Sequence, residues 1–210
     1  AKAQLARTGA LYHDIGKVLN PAFFTENQSG VNPHDTISEE RSAQIIINHV
    51  TDGLRLAEKY HLPQVIKEFI RTHHGTGLVK YFYIQYCNKH VGETEEAFRY
   101  PGPNPQTREQ AVVMMCDSVE AASRSLKEYT EESITQLVNR IVDSQLAEGH
   151  FKECPITFRD IADAKRTLID SLKTIYHTRI SYPEIKKPTD QTQNSPLRGF
   201  KGTHPWHFNK

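Results

Sequence analysis

The helical spacing of apolar residues in the second half of the chain constrains the fold more than any other feature. These residues recur at the i, i+3, i+4, i+7, i+8 and i+12 positions that place them on one face of an α-helix. They are Ile134, Leu137, Val138, Ile141, Val142 and Leu146. Gly149 follows them as a predicted helix stop. Because strand-like alternation is short elsewhere, the sequence predicts an all-α fold, a bundle of helices.

Two capping boxes predict where further helices begin. Thr107 with Gln110, and Thr157 with Asp160, have the spacing at which a side chain and a backbone amide cap one another reciprocally. The helices that follow carry the apolar run "AVVMMCDSVEAASRSL" and the spaced residues from Ile161 onward. The helix from Ile161 onward, like the one from Ile134 to Leu146, is predicted to be amphipathic.

The first half of the chain predicts helices separated by irregular loops. Pro63 is placed as the first residue of one helix, and a break near Asp52 and Gly53 is expected to divide the preceding apolar stretch into two helices. Residues 20–35 and 91–106 are rich in Gly, Pro and Asn and are expected to be irregular. Long loops in compact domains are usually functional.

Composition restricts the class of protein. The chain has 210 residues, 37% of them apolar, and a formal net charge of +1. It therefore has no basic stripe for a nucleic-acid polymer, and no window is apolar enough to span a membrane. Three scattered cysteines favour a reducing cytosol over a disulfide framework. The sequence begins without Met and already shows helical spacing of apolar residues, as expected for a domain of a longer protein. Residues 1–184 are predicted to form one domain and 185–210 an extended or disordered tail.

Six side chains of metal-ligand type stand where apolar helices end or where core residues are expected. Two adjacent pairs close helical stretches, and two single residues interrupt apolar runs. The set is His13, Asp14, His49, His73, His74 and Asp117.

Each of these residues has an ordinary structural alternative. His49 on an apolar helix is usually a hydrogen-bonded core histidine. Asp117 could cap a helix or pair with Arg124, and His73 with His74 could interact with a helix C-terminus. All of these alternatives holding together in one small domain is a weaker explanation than a shared metal site.

Charge counting favours two metal ions. Four neutral imidazoles and two carboxylates carry −2, so two divalent cations and a bridging hydroxide leave about +1, which attracts a phosphodiester anion. Asp14, with two oxygens, is the predicted bridging ligand. Imidazole and carboxylate ligands without thiolate favour iron, manganese, cobalt or zinc. Lys17, one turn further on, is predicted to contact a substrate phosphate.

The order H-D, H, H-H, D resembles the HD superfamily of metal-dependent phosphohydrolases. The sequence is most similar to the cytoplasmic HD domain of the seven-transmembrane HD receptor family, which are bacterial cyclic-di-AMP phosphodiesterases. The blocks that carry this resemblance are "GALYHDIGK", "FFTENQ" with "NPHD", "HHGTGLVKYFY", "FRYPGPNPQ", "CDSVEAASRSL" and "IYHTRISYPE".

This resemblance implies a dinuclear iron or manganese centre that hydrolyses cyclic di-AMP to linear pApA through a metal-bridging hydroxide. It assigns His13, Asp14 and Asp117 to one metal. It assigns Asp14 again to the other metal, together with a set of three histidines: His49, His73 and His74. The family also uses a histidine on a helix upstream of this sequence. The resemblance also implies that the chain is a cytoplasmic domain of a bacterial inner-membrane protein, joined to the membrane only through upstream segments.

Several residues are predicted to contact the substrate: Lys17, Asn32, His34, Tyr83 and Arg124. An Asx-turn is the alternative role for Asn32. The related HD-GYP phosphodiesterases cleave cyclic di-GMP, but "HHGTG" lacks their Gly-Tyr-Pro signature, which favours the adenine dinucleotide. Two alternatives stay open. One is a non-catalytic cyclic-dinucleotide sensor module, and the other is a cyclic-di-GMP or nucleotide phosphohydrolase.

Overall fold

α-Helices make up nearly all of the regular structure. The computed structural model of this chain describes residues 2–28, 30–90 and 95–177. The α-helices in that part are α1 (Ala3–Tyr12), α2 (Glu39–Lys59), α3 (Gln64–Thr72), α4 (Lys80–Cys87), α5 (Arg108–Ser123), α6 (Glu131–Ala147) and α7 (Phe158–His177). Within these described ranges the β-structure is one isolated bridge between Leu78 and Arg99. The all-α prediction is confirmed.

Short 3₁₀ helices occupy the two segments predicted to be irregular and the turn before the first of them. Four lie between α1 and α2, and one follows α4. They are Ile15–Leu19, Pro21–Phe23, Thr25–Asn27, Pro33–Thr36 and Glu95–Phe98. Pro, Asn and Gly interrupt these stretches often enough that no α-helix can propagate through them.

Both predicted capping boxes form. At the start of α5, the Gln110 amide N–H donates to Thr107 Oγ1 at 3.3 Å while Thr107 N–H donates to Gln110 Oε1 at 3.2 Å. At the start of α7, Asp160 N–H donates to Thr157 Oγ1 at 3.1 Å and Thr157 N–H donates to Asp160 Oδ2 at 2.9 Å. Gly149 has φ of 81° just beyond α6, as the predicted stop requires.

The predicted break in α2 is wrong, because α2 runs unbroken through Asp52 and Gly53. A Cβ atom on Gly53 would lie 2.9 Å from Ile70 Cγ2 and 3.3 Å from the backbone nitrogen of Gly16. A Cβ atom on Gly16 would lie only 1.9 Å from the carbonyl oxygen of His49. The two glycines therefore allow close packing of the turn after α1 against α2, and neither ends a helix. The prediction for Pro63 is wrong by one residue, since α3 begins at Gln64.

The apolar core lies mainly between α5, α6 and α7. Its buried members are Ala111, Met114, Met115, Val119, Ile134, Val138, Val142, Phe151, Cys154, Ile161 and Leu172. A smaller buried cluster joins α2 and α4 to the following 3₁₀ helix, and it consists of Ala43, Phe82, Tyr86 and Phe98. One face of α5 packs in the larger core, which leaves its other face for α1 and α3.

The predicted tail, residues 185–210, lies outside the described residues, as do residues 178–184 of the predicted domain. The described residues all belong to one compact unit, Ala1–Arg179. Among the described helices, none combines the length and apolar character needed to cross a membrane.

Candidate metal centre

The His13–Asp14 pair lies where α1 changes into a 3₁₀ turn. The His13 N–H still donates to the Gly9 carbonyl at 2.9 Å, but the next 3₁₀ helix begins at Ile15. Adjacent residues on a regular helix point about 100° apart, so this change of direction is what brings the two side chains together. His13 Nε2 lies 3.2 Å from Asp14 Oδ2.

Three other helices bring the remaining predicted ligands to the same place. His49 lies within α2, His73 and His74 directly follow the last residue of α3, and Asp117 lies within α5. His49 and His73 are only 2% and 1% exposed. The six residues thus come from four segments that are distant in sequence.

Short distances connect all six side chains. Asp14 Oδ1 lies 3.3 Å from His49 Nε2 and 3.5 Å from His73 Nε2. Asp117 Oδ1 lies 3.3 Å from His13 Nε2, and Asp117 Oδ2 lies 3.7 Å from His74 Nδ1.

Two groups of these residues have the geometry of a metal site. Asp14, His49, His73 and His74 form one group, and His13, Asp14 and Asp117 form the other. In each group the ligand atoms lie within 4.8 Å of one another. Asp14 belongs to both groups, which is the position that a bridging carboxylate occupies.

Backbone carbonyls fix the tautomers of three histidines. Nδ1 of His13 lies 2.6 Å from the Ala10 carbonyl oxygen, and Nδ1 of His73 lies 2.8 Å from that of Ile70. His49 makes the same contact three residues back along its helix, at 2.5 Å. Because a carbonyl only accepts, each Nδ1 carries a proton, and in the neutral imidazole Nε2 keeps a lone pair. This arrangement orients histidines that bind metals through Nε2.

The resulting lone pairs need a cation. His49 Nε2 and His73 Nε2 face each other at 3.0 Å, although in the neutral form neither has a proton to donate. Asp14 Oδ1 is buried beside both nitrogens and has no hydrogen-bond partner among the described residues. A buried carboxylate oxygen without a partner is costly. A cation between these three atoms would satisfy all of them, so the residues present fit a metal.

The electrostatics of the two carboxylates agree with a cation site. Burial raises the pKa of Asp14 and Asp117, but the surrounding imidazoles outweigh it and hold both values far below the ordinary range. Burial lowers the pKa of His13, but its hydrogen bonds to Asp117 and Asp14 outweigh this and raise it to about 10. Two ionised carboxylates therefore draw positive charge to this point, and in the metal-free protein His13 holds it as a proton.

On the other side of the centre, burial is the dominant influence on the two histidines that follow α3. It lowers the pKa of His73 and, more strongly, of His74, so both are neutral and available as ligands. Tyr100 stacks on His74 with ring centroids 4.2 Å apart. Burial, with the nearby Asp117 and Asp14 charges, raises the pKa of the Tyr100 hydroxyl, which stays neutral. Tyr100 lies in the block "FRYPGPNPQ" but is not one of the predicted site residues.

Lys17 lies at the edge of the centre and is held by two carboxylates. Its Nζ is 2.7 Å from Asp14 Oδ2 and 2.7 Å from Glu26 Oε1. Glu26 Oε2 also lies 3.4 Å from Arg124 Nη1, so one carboxylate joins two of the predicted substrate contacts. Glu26 was not predicted from the sequence, because a glutamate in a polar loop is not part of any periodic pattern of apolar residues.

The other predicted substrate contacts have structural partners. Asn32 Oδ1 accepts the His34 N–H at 3.1 Å, which is the Asx-type alternative, and His34 Nε2 lies 2.9 Å from the Phe23 carbonyl oxygen. Tyr83 packs against Phe98 with ring centroids 5.5 Å apart. The substrate roles of Asn32, His34 and Tyr83 stay predictions.

An all-α domain that gathers imidazoles and carboxylates around one shared aspartate defines a helical metal-binding domain of the hydrolase type. Comparison with known proteins gives the family. A sequence model of the HD domain matches residues 1–122. The chain belongs to the HD domain family, whose members are metal-dependent hydrolases.

Characterised relatives and a solved structure extend this comparison. The chain is 45% identical over 188 residues to the cyclic-di-AMP phosphodiesterase PgpH of Bacillus subtilis, and 44% identical over 187 residues to that of Listeria monocytogenes. Each match covers 89% of this chain but only 26% of the relative. The crystal structure of the L. monocytogenes PgpH HD domain in complex with cyclic di-AMP is 44% identical, with a TM-score of 0.82 over 84% of this chain and 83% of that one.

Proposed function

We propose that this domain hydrolyses cyclic di-AMP to linear pApA as a metal-dependent phosphodiesterase. The observation that carries the proposal is the pair of ligand groups that share Asp14. The substrate is supported by the named activity of the Bacillus and Listeria relatives and by the bound ligand of the Listeria HD domain.

We infer two divalent transition-metal ions as the cofactor, iron or manganese. Two ligand groups support two ions, and imidazole with carboxylate ligation suits these metals better than calcium or magnesium. Such ions supply charge neutralisation for a phosphate ester and lower the pKa of a nearby water.

The protein residues have distinct tasks in this scheme. His49, His73 and His74 with Asp14 hold one ion, while His13 and Asp117 with Asp14 hold the other. The back-bonded Nδ1 atoms keep the imidazoles in ligating orientation.

The charge of the centre favours an anionic substrate. Six ligands with a charge of −2 and two divalent ions leave +2 before any water binds. Lys17 adds one positive charge beside Asp14, and Glu26 holds its ammonium group in place. We propose that Lys17 and Arg124, at the same rim, bind substrate phosphate oxygens.

Product analysis tests the proposal. The purified chain, stripped with a chelator and reloaded with Mn²⁺ or anaerobic Fe²⁺, is incubated with cyclic di-AMP, and products are separated by anion-exchange chromatography. We expect pApA from the loaded protein and none from the Asp117→Asn variant, which loses a ligand. Asp143→Asn is the matched control, because Asp143 is exposed on α6 and pairs only with Lys165 among the described residues.

Other outcomes identify the alternatives. Tight binding of cyclic di-AMP by calorimetry without turnover by the metal-loaded chain would make the domain a sensor module. Faster cleavage of cyclic di-GMP would change the substrate, and release of inorganic phosphate from a mononucleotide would indicate a nucleotide phosphohydrolase.

The chain spans about a quarter of the length of the curated relatives it matches. We propose that residues 1–184 form the catalytic unit and that 185–210 form a tail, which limited proteolysis would test. The resemblance to the receptor family supports placement on the cytoplasmic side of a bacterial inner membrane, with attachment only through segments outside this chain. Fractionation of cells that express the whole protein tests that placement.

A further inference from the structure

A cavity of 180 Å³ opens beside the metal centre and extends toward α6. His74 and Tyr100 form its wall on the metal side, and Gln145 lies on its α6 side. A substrate whose phosphate lies at the metals could therefore place another of its groups in this cavity. The activity of the centre does not by itself require such a cavity.

Gln145 presents an unsatisfied acceptor at this cavity. The residue is only 7% exposed. Its Nε2 donates to Ser118 Oγ at 2.9 Å and to the Met114 carbonyl oxygen at 3.4 Å. Because a carbonyl only accepts, these bonds fix the orientation of the amide, and Oε1 is left without a partner among the described residues. A buried oxygen in this state gains from a ligand that donates to it.

Ser118 supplies the complementary donor. Its oxygen accepts from Gln145 Nε2, so its hydroxyl hydrogen is free to donate into the cavity that Ser118 also lines. Leu78, Met114 and Ile141 give the cavity apolar walls. An acceptor beside a donor between apolar walls suits a flat heteroaromatic ring that carries an amine next to a ring nitrogen.

We propose that this cavity binds one adenine of the cyclic dinucleotide, with its exocyclic amine donating to Gln145 Oε1 and a neighbouring ring nitrogen accepting from Ser118. The proposal rests on the proposed function and adds to it the basis of base selectivity. Guanine and hypoxanthine carry a carbonyl oxygen at the position of the amine, and that oxygen would face Oε1, acceptor against acceptor.

Glu148, another lining residue of the cavity, makes charged contacts at the end of α6. Glu148 Oε1 lies 2.7 Å from Lys80 Nζ, and Glu148 Oε2 lies 3.2 Å from His150 Nε2. His150 Nδ1 lies 2.9 Å from Asn104 Oδ1, which also accepts the Thr76 N–H. These contacts connect α4 to the end of α6.

The test compares cyclic di-AMP with cyclic di-IMP, in which a carbonyl replaces each exocyclic amine. For the metal-loaded wild-type chain we expect kcat/KM to favour cyclic di-AMP by at least about tenfold, the size of one lost buried hydrogen bond. The Gln145→Met variant should reduce this preference to within about threefold by raising KM for cyclic di-AMP. Gln136→Met is the matched control, because Gln136 is exposed on the same helix and bonds to Glu132.

Bis(p-nitrophenyl) phosphate, which has no base, separates this proposal from the proposed function. Wild-type protein that cleaves neither dinucleotide would overturn the proposed function. Wild-type protein that cleaves both dinucleotides equally, or a Gln145→Met variant that keeps the preference while cleaving the base-free ester normally, would overturn only the adenine site. If Gln145→Met also loses activity on the base-free ester, that variant no longer tests the adenine site. The site is then tested by the ratio of the wild-type kcat/KM values for the two dinucleotides and by the same ratio in the Ser118→Ala variant.

Discussion

The pair of helices α6 and α7 and the region formed by α1, α2, α3 and their loops are built on opposite principles. In α6 and α7 the buried residues are mainly apolar, and Ile134 and Val138 are almost completely inaccessible. In the other region, His49 and His73 are just as deeply buried, and Asp14 has a buried oxygen that finds no hydrogen-bond partner within the described part of the chain. The α5 helix serves both, with Met115 in the core and Asp117 in the metal centre.

The difference indicates which region stabilises the fold and which performs the chemistry. Apolar burial stabilises a fold without any ligand. Buried imidazoles and carboxylates cost free energy until a cation binds them, so the metal region gains its stability from binding. Mutations in the metal region should therefore reduce metal binding and turnover, whereas mutations in the apolar core should reduce stability.

Removal of the shared carboxylate should have the largest effect and only on the metal region. The Asp14→Asn variant keeps the shape of the side chain but loses the charge common to both ligand groups. We expect it to lose at least one bound ion and to reduce turnover by about a thousandfold. Elemental analysis together with pApA formation checks this, and a variant that retains two ions at wild-type activity would contradict the assignment.

Truncation of a side chain in the apolar core should lower stability and leave metal binding unchanged. Ile134 is 1% exposed in the core between α5, α6 and α7, so Ile134→Ala should lower the free energy of unfolding by about 2–5 kcal/mol. The metal content of the folded fraction should not change. Urea denaturation measures the first effect, and Ile175→Ala, at a 47% exposed position on α7, is the control. An equal loss in both variants would show that this core is not the stabilising element.

The glycine contact between α2 and the turn after α1 should connect stability to metal binding. Gly53→Ala places a methyl group 2.9 Å from Ile70 Cγ2 and against Gly16, so it should cost about 1–3 kcal/mol of stability. It should also weaken metal affinity, because it displaces the turn that carries Asp14. Metal titration and denaturation of Gly53→Ala and of the exposed control Thr51→Ala test this, and unchanged metal affinity would separate the two effects.

The smallest effect is expected at Glu148, just beyond the end of α6. Burial raises its pKa, but Lys80, Ser144 and His150 outweigh this and lower it from 4.5 to about 2. The stabilisation is therefore present above pH 4.5 and is lost as the pH falls from 4.5 to about 2. Because the side chain is 34% exposed, we expect less than about 1 kcal/mol.

Denaturation of wild-type protein and of the Glu148→Gln variant measures the contribution of Glu148. The gap between their stabilities should be largest at neutral pH and should close as the pH falls to about 2. A gap that stays constant over that range would show that the carboxylate charge contributes nothing.

Local signals in the sequence predict the core helices well. The spacing from Ile134 to Leu146 and the two capping boxes depend on residues within a few positions of one another, and the structure confirms them. Gly53 was misread because its reason for being glycine is contact with Gly16, which is distant in sequence. Contacts of that kind leave no periodic pattern.

The metal centre was predicted by residue type and by resemblance, and its geometry could not be read from spacing. The structure brings all six predicted ligands together, while their roles as ligands stay predictions. Glu26 and Gln145 were missed because their partners come from other segments. Long-range packing decides which polar residues converge.

The most direct test of a metal centre shared through Asp14 is anomalous scattering from crystals of the protein grown with Mn²⁺ or Fe²⁺, recorded on both sides of the metal absorption edge. We expect two ions with Asp14 as a ligand to both, one contacted by His49, His73 and His74 and the other by His13 and Asp117. A single ion, or ions that lie away from Asp14, would contradict this expectation.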